Sequence, residues 1–235
     1  MRDDREYLYF DGKASTDYGL YITDAGVYTS PARNYDKVQV PGRNGDLLFE
    51  NDRFDNIEVV YPAILVEDFD HNFDAWKAFC LSRRGYLRLA DSYHPDEFYL
   101  ASFNRFEDIK TKIHAKGGTF KMVFDRKPQK FLKEGEVTRE ITSFPADILN
   151  PTQFKAYPLI RLYGSGTLTI GDISITLTTS SQYVDIDCEL AEALVAAENL
   201  NITTTGGRFP YLEPGLNEIS WTGSRLEITP RFYSI

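Results

Sequence analysis

Residues 38–48 constrain the fold of this chain strongly, because they must reverse the direction of the backbone. The alternating residues Val38-Gln39-Val40 lead into Pro41-Gly42-Arg43-Asn44-Gly45-Asp46, and Leu47-Leu48 follows. Proline fixes φ at about −65° and donates no backbone hydrogen bond, whereas glycine tolerates positive φ. The segment is therefore predicted to be a strand, a compact loop and a second strand. An ordinary β-hairpin turn is the simplest interpretation of the loop on local evidence.

The length of 235 residues allows one large all-β domain or two domains of ordinary size. Pro, Gly and charged residues cluster at residues 126–136, which is typical of a linker. We therefore predict a boundary near residues 127–135. It separates a first domain over residues 1–130 from a second domain over residues 131–235.

The first half alternates as antiparallel strands do, and it contains one amphipathic helical segment. The apolar residues that recur at helical spacing are Phe73, Trp76, Cys80 and Leu81. Asp70 or Asn72 is placed to cap the N-terminus of this helix, and Gly85 lies where a left-handed C-cap residue is common. We predict an α+β first domain in which one helix packs on antiparallel β-sheets.

Short strands and tight turns dominate the second half. Leu168 and Ile170 share one phase, Gly171-Asp172 is a two-residue turn, and Ile173 begins the returning strand. With a second hairpin near the end of the chain, this pattern predicts an antiparallel β-sandwich of jelly-roll type. The Ala-rich residues 189–198 are compatible with a short helix or with a strand. The whole chain is thus predicted to be mainly β.

Composition argues against several functional classes. A net charge of −9 disfavours binding to nucleic-acid phosphates, which depends on clustered Lys and Arg. No apolar run approaches the roughly 20 residues of a membrane helix, and the charged start lacks a secretory signal pattern, so we expect no membrane anchor. Cys80 and Cys188 have no Cys or His at metal-ligand spacing. Both are predicted to be buried free thiols in a protein folded in a cytoplasm.

No residues with a recognisable catalytic pattern accompany this fold. The imidazoles are His71, His94 and His114, and each is interpreted as a surface or capping residue. The sequence has no G-x-S-x-G elbow, Walker loop or H-E-x-x-H motif. We therefore predict a protein that is not an enzyme, without catalytic residues, cofactor or metal ion.

Two acidic groups leave a metal site and glycoside hydrolysis open. They are Asp185, Asp187 and Glu189 on one predicted strand face, and Glu67, Asp68 and Asp70 at a predicted strand end. Clustered oxygens suit Ca²⁺, and two carboxylates suffice for glycoside hydrolysis. Such groups also arise on the solvated faces of an acidic chain, which is the interpretation we favour.

Aromatic side chains of the second half could bind sugars by stacking. The candidates are Trp221, Tyr183, Tyr211 and Phe209. Trp221 shares its strand phase with Ile219, which favours a place in the core for its ring.

Several segments, in their order and spacing, resemble the distal tail proteins of long-tailed, siphovirus-type bacteriophages. In the first half they are Phe10-Asp11-Gly12-Lys13, Tyr18-Gly19-Leu20-Tyr21-Ile22, Ser30-Pro31-Ala32-Arg33, residues 40–47 and Gly85-Tyr86-Leu87-Arg88-Leu89. In the second half they are Asn150-Pro151-Thr152 and residues 158–166, 209–217 and 228–232. The resemblance spans nearly the whole chain.

The resemblance implies a structural hub in the virion, assembled in the host cytoplasm. Its first domains would join as a homo-oligomeric ring, typically a hexamer, around a channel through which DNA passes without specific binding. Its second domains would be galectin-like sandwiches at the periphery. The partners implied are the tail tube protein, a tail-associated baseplate or fibre protein, and in some members a receptor-binding protein. The second domain is too short for the long arm that some members insert, so no arm is expected, and direct attachment of a receptor-binding protein stays an open alternative.

Three functional hypotheses follow from the sequence. The first is the ring-forming hub, with an oligomer-interface loop made of Pro41, Gly42, Arg43, Asn44, Gly45 and Asp46. The second is a carbohydrate-binding module that recognises the host surface through the second domain. The third is a glycan hydrolase that uses Asp185 and Asp187.

Overall fold

The computed structural model describes residues 5–112, 116–195, 198–199 and 202–235. It contains two compact units, one of Met1–Lys130 with Ile235 and one of Phe131–Ser234. All strand pairs given for the described residues are antiparallel, and the predicted mainly β class is confirmed. None of the described helices is long and apolar enough to cross a membrane.

The first unit is built on one large sheet. Its strands are β1 (Leu8–Phe10), β2 (Lys13–Ala14), β3 (Leu20–Ile22), β4 (Val27–Tyr28), β5 (Arg33–Val38), β6 (Leu47–Phe54), β7 (Ile57–Leu65), β8 (Leu87–Asp91), β9 (Glu97–Lys112) and β10 (Gly117–Leu132), and its helices are a 3₁₀ turn at Ser15–Tyr18 and α1 at Phe69–Ser82. The sheet has the order β2-β1-β8-β9-β10-β7-β3, and β4 also pairs with β7. Strands β5 and β6 form a separate two-stranded sheet.

The core of the first unit lies on one face of the large sheet. Odd-numbered residues of β7, from Ile57 to Leu65, are buried, whereas the even-numbered ones are half-buried or exposed. Helix α1 packs onto the same core through its apolar face, and the indole N–H of Trp76 points to the sulfur of Met122 at 3.2 Å. The buried ring of Phe69 packs where Gly118 has no side chain, because a Cβ at residue 118 would overlap the ring. The prediction of one helix packed on antiparallel strands is confirmed.

The start of α1 differs from the prediction. The N-cap is Asp68, in the left-handed conformation with φ 45°, and neither Asp70 nor Asn72 caps the helix. The side-chain amide of Asn72 instead donates to the carbonyl of Glu67 at 3.0 Å. The helix starts earlier because Phe69 is itself buried in the core and becomes its first residue.

The end of α1 also differs in part. Arg83 is the C-cap, and its N–H donates to the carbonyl of Cys80 at 3.2 Å. Gly85 does have positive φ, at 76°, but it lies two residues beyond the cap. Leu81 was predicted on the buried face and is 58% exposed, so that assignment is wrong. At this turn of α1 it is the side chain of Cys80 that packs into the core.

The second unit contains two sheets. Its strands are β11 (Arg139–Ile141), β12 (Ala146–Asn150), β13 (Leu159–Tyr163), β14 (Gly166–Ile170), β15 (Ile173–Leu177), β16 (Tyr183–Asp187), β17 (Glu192–Val195), β18 (Glu198–Asn199), β19 (Thr203–Thr204), β20 (Gly215–Trp221), β21 (Arg225–Thr229) and β22 (Tyr233–Ser234), with 3₁₀ turns at Lys133–Glu136 and Thr205–Gly207. One sheet has the order β11-β21-β13-β16-β17-β18, and the other has the order β12-β20-β14-β15-β19.

The side chains between these sheets form the core of the second unit. The predicted hairpin is present, since Ile170 pairs with Ile173 across a turn in which Gly171 has φ 58°. Trp221 is 3% exposed and pairs with Leu168, which confirms its core position. The open question at residues 189–198 is resolved for the part that the structure describes, because β17 is a strand; residues 196–197 lie outside the described residues.

The two cysteines are buried and unpaired with each other. Cys80 lies in the core of the first unit and Cys188 in the core of the second. Burial raises the pKa of both thiols, so they are neutral at ordinary pH. The prediction of buried free thiols is confirmed.

Candidate functional site

The separate two-stranded sheet of the first unit, residues 33–54, is the candidate site, and we call it the ribbon. It consists of β5, the loop of residues 39–46 and β6. Val38 pairs with Leu47 where the loop begins and ends. In the described part of the chain no third strand pairs with β5 or β6. The predicted order of strand, loop and strand is confirmed.

The loop begins with a tight turn around its proline. The N–H of Arg43 donates to the carbonyl of Val40 at 3.1 Å, which closes a four-residue turn. Pro41 is the second residue of this turn and Gly42 the third, with φ 79°, as a type II turn requires. Gly45 has φ 80°. The sequence of the loop thus dictates its backbone, because both glycines adopt φ values that side chains disfavour.

The loop predicted as an oligomer interface is open to solvent. All six of its proposed residues are exposed, from Pro41 to Asp46. With Gln39 and Val40, most of them line a shallow open depression of about 480 Å³. A Cβ added at Gly42 or Gly45 would meet no atom within 4 Å. Space around the loop is therefore free for another molecule.

Both faces of the ribbon expose apolar side chains. Directly paired residues share a face, and so do residues two positions apart on one strand. By these rules Val38 and Phe49 lie on one face of the ribbon, and Tyr35 and Leu48 lie on the other. The exposed fraction is 45% for Val38 and 56% for Phe49 on the first face. It is 43% for Tyr35 and 57% for Leu48 on the second. A two-stranded hairpin is marginally stable alone in water, and apolar side chains grouped on a surface usually mark an interaction site. The ribbon is therefore suited to lie between other protein surfaces.

Polar contacts hold the base of the ribbon. The register shifts between Asn34 and Tyr35, which leaves Asn51 and Asp52 as extra residues on β6, and Asp52 takes φ 48°. Such a bulge bends a β-ribbon and increases its twist. The side-chain amide of Asn51 donates to that of Asn34 at 2.8 Å, and the amide of Asn34 donates to Asp55 at 3.1 Å. These contacts tie the two strands of the ribbon together at the bulge and join them to Asp55.

The carboxylates considered for catalysis are bound by arginines. Arg161 donates two hydrogen bonds to Asp185, at 2.7 and 2.9 Å. Arg231 donates two to Asp187, at 2.8 and 3.0 Å, and lies 3.6 Å from Glu189. Each carboxylate of the pair thus accepts two hydrogen bonds from a guanidinium of its own.

The environment of Asp187 agrees with a structural role. Burial by itself raises the pKa of this carboxyl, but the hydrogen bonds from Arg231 and from the N–H groups of Leu190 and Glu189 outweigh it and lower the pKa below its usual range. A general acid of a glycosidase needs a raised pKa. Asp187 is therefore unsuited to donate a proton at neutral pH.

The second acidic group does not form a site either. Asp68 is the N-cap residue of α1 but makes no side-chain cap hydrogen bond, and Glu67, Asp68 and Asp70 are all exposed. Among the described residues, no group of three or more His, Cys, Asp or Glu side chains is placed to hold a metal ion.

One histidine takes part in a buried network that the sequence did not reveal. The ring Nδ1 and the backbone N–H of His94 both lie 2.9 Å from Oδ1 of the buried Asp91, and Tyr61 donates to its Oδ2 at 3.0 Å. The network closes the turn after β8. His71 is exposed on α1, and His114 lies outside the described residues. Tyr61 could not be assigned to this network from sequence, because it is 30 positions from Asp91.

The aromatic residues considered for sugar stacking have other contacts. The guanidinium of Arg161 lies over the ring of Tyr183 at 4.2 Å, and the ammonium of Lys155 lies over the ring of Tyr211 at 4.0 Å. Phe209 packs half-buried against the core of the second unit. These contacts occupy surfaces that a sugar ring would need for stacking.

Comparison with solved structures gives matches over the full length. The SPP1 Dit protein, described as a paradigm of the hub adsorption apparatus in phages that infect Gram-positive bacteria, matches with a TM-score of 0.70 and 14% identity over 95% of this chain and 97% of that chain. A chain of the phage P2 baseplate, in its activated conformation with Ca, matches with a TM-score of 0.50 and 10% identity over the same shares.

The comparisons by sequence give no match, either to a family model or to a curated protein. At 14% identity, the similarity to the SPP1 protein shows a shared fold. With 95% of this chain covered, it extends over both units. The chain therefore has the fold of a phage tail hub protein, which confirms the resemblance to distal tail proteins predicted from its sequence.

Proposed function

We propose that this chain is a structural hub of a phage tail tip, in which copies of the chain join as a ring through their ribbons. The observation that carries the proposal is the ribbon itself, whose two faces both expose apolar side chains. The fold of the SPP1 hub protein supports it. The role needs no reaction, and the paired states of Asp185 and Asp187 agree with that.

The two faces of the ribbon favour a ring over a two-fold dimer. The two faces of one ribbon carry different side chains. Of the two copies that contact this ribbon, each would therefore use a different surface of its own. Such head-to-tail contacts are heterologous, and they generate a closed ring when the rotation between copies closes. We propose six copies, from the resemblance to distal tail proteins.

The ring would join the tail tube protein to a tail-associated baseplate or fibre protein. A net charge of −9 suits a channel through which DNA passes without binding. We propose the tail tip of the virion as its location.

The loop offers a test of this interface. Changing Gly42 and Gly45 to Val places β-branched residues at φ 79° and 80°, which costs about 1–2 kcal/mol at each position and distorts the loop. We expect a smaller population of rings in native mass spectrometry and an unchanged thermal transition of the second unit.

The matched control changes Gly164 and Gly171 to Val. Both have positive φ and open space around an added Cβ, but they lie in the second unit. The control should keep its rings. If the Gly42/Gly45 variant keeps the wild-type oligomer mass, the loop is a simple hairpin turn and is not part of the interface.

The ring as a whole is tested by negative-stain imaging of the purified protein. A closed ring with an open centre is expected. A chain that stays a monomer at high concentration, in mass measurement and in images, would contradict the proposal.

A further inference from the structure

The second unit carries an exposed group of side chains on β12 and β20 that we call the β12–β20 patch. It consists of Asp147, Leu149, Leu216 and Glu218. Leu149 pairs directly with Leu216, and the two are 58% and 69% exposed. Asp147 pairs directly with Glu218, two positions further along each strand, and therefore lies on the same face.

The charges of this patch are not balanced by other described residues. Two carboxylates directly opposite each other in a β-ladder repel and destabilise the pair. In the part of the chain that the structure describes, neither Asp147 nor Glu218 has an ion pair. The patch thus combines an exposed apolar pair with an uncompensated acidic pair.

The outward face of the other sheet shows that this arrangement is not general. There acidic residues also lie directly opposite each other, but a cation pairs with one member of each pair: Arg225 with Glu140, opposite Glu227, and Arg231 with Asp187, opposite Glu192. On the remaining strands of the patch's own sheet, outward hydroxyls pair with each other, as Thr169 does with Ser174 at 2.9 Å. The pair on β12 and β20 differs, because neither Asp147 nor Glu218 has a cationic partner among the described residues.

Buried asparagines fix the ends of both strands of the patch. The side chain of Asn217 accepts from the N–H of Glu213 and donates to its carbonyl, each at 2.8 Å. The side chain of Asn150 donates to the carbonyl of Phe154 at 2.8 Å and accepts from the N–H of Thr152 at 3.0 Å. The patch is therefore held in one conformation, which lowers the entropy lost on binding.

We propose that the β12–β20 patch docks a segment of another protein that carries an apolar side chain flanked by Lys or Arg. The apolar side chain would cover Leu149 and Leu216, and the cations would neutralise Asp147 and Glu218. Charge complementarity favours a basic partner over a second copy of this chain, since each copy has a net charge of −9. The proposal does not depend on the ring.

Two synthetic peptides test the proposal against the full-length chain. One has a central Leu flanked on both sides by Lys, and the other has the same Leu flanked by Glu. The test variant is Leu216→Ser with Glu218→Gln. The matched control is Leu190→Ser with Glu192→Gln, which removes an equally exposed leucine, at 65%, and one charge elsewhere on the same unit.

We expect fluorescence anisotropy to show that the Lys peptide binds the wild type and the control about tenfold more tightly than the test variant, because one apolar contact and one charge pair are lost. The Glu peptide should not bind. Equal affinity of test variant and control, or no binding to the wild type, would overturn the proposal. A lower oligomer mass of the test variant would show that the patch contacts a second copy of the chain, and this would also overturn the proposal. Loss of rings in the ribbon variants tests the proposed ring and does not test the patch.

Discussion

Changing Leu48 and Phe49 to Ser is expected to abolish the ring and leave single chains. These two residues lie on opposite faces of the ribbon and are 57% and 56% exposed in the single chain. Their removal therefore costs little folding free energy, but it removes apolar area from both contacts of every copy. Burial of one such side chain is worth about 1.5–3 kcal/mol, and a ring repeats the loss at each interface.

Native mass spectrometry measures this result directly. The control is Leu81→Ser with Leu190→Ser, because both leucines are exposed to a similar degree, at 58% and 65%, and lie outside the ribbon. The control should keep the mass of the ring. The single variants Leu48→Ser and Phe49→Ser separate the two faces. Wild-type mass in the double variant would show that the ribbon does not join the copies.

The exposure of the ribbon could not be predicted from its sequence. Val38 and Leu47 were predicted in strands and lie in them, whereas Val40 was predicted in the first strand and lies in the loop. Whether a face of these strands is covered by the same chain or by another molecule depends on contacts that are not local. The structure supplies this information, because no element of the first unit covers the ribbon among the described residues.

Local signals predicted other elements well. The hairpin of β14 and β15 is set by alternation and by the two-residue turn at Gly171, all within a dozen residues. The limits of α1 were predicted less well, because Phe69 is buried where Gly118 leaves room for its ring. That contact joins residues 49 positions apart, and no helix-capping rule contains it.

The arginine partners of the acidic residues were missed for the same reason. Asp185 and Asp187 were predicted on one strand face, and the structure places them on β16. Their partners, Arg161 and Arg231, come from other parts of the chain. A count of acidic residues in one segment does not show which cations the fold brings to them.

The pairing of Asp187 leads to the second large effect. Changing Asp187 to Ala is expected to lower the free energy of unfolding of the second unit by about 2 kcal/mol, because the partly buried Arg231 keeps only the more distant Glu189, at 3.6 Å, and two backbone N–H groups lose their acceptor. Asp185→Ala is the matched control. It breaks an equally bidentate pair whose side chains are more exposed, so we expect a cost of about 1 kcal/mol or less.

The pH dependence distinguishes a charged Asp187 from a neutral one. Its pKa in the folded chain lies below the ordinary value of 3.8, so the unfolded chain binds the proton more readily. The stabilisation is therefore fully present above the ordinary value and is lost as the pH falls through the folded pKa. Denaturant unfolding should show a constant difference between wild type and Asp187→Ala from neutral pH down to about pH 5, and a smaller one below about pH 4. A difference that grows with acidity would mean that Asp187 carries a proton in the folded chain, as the general acid of a hydrolase would.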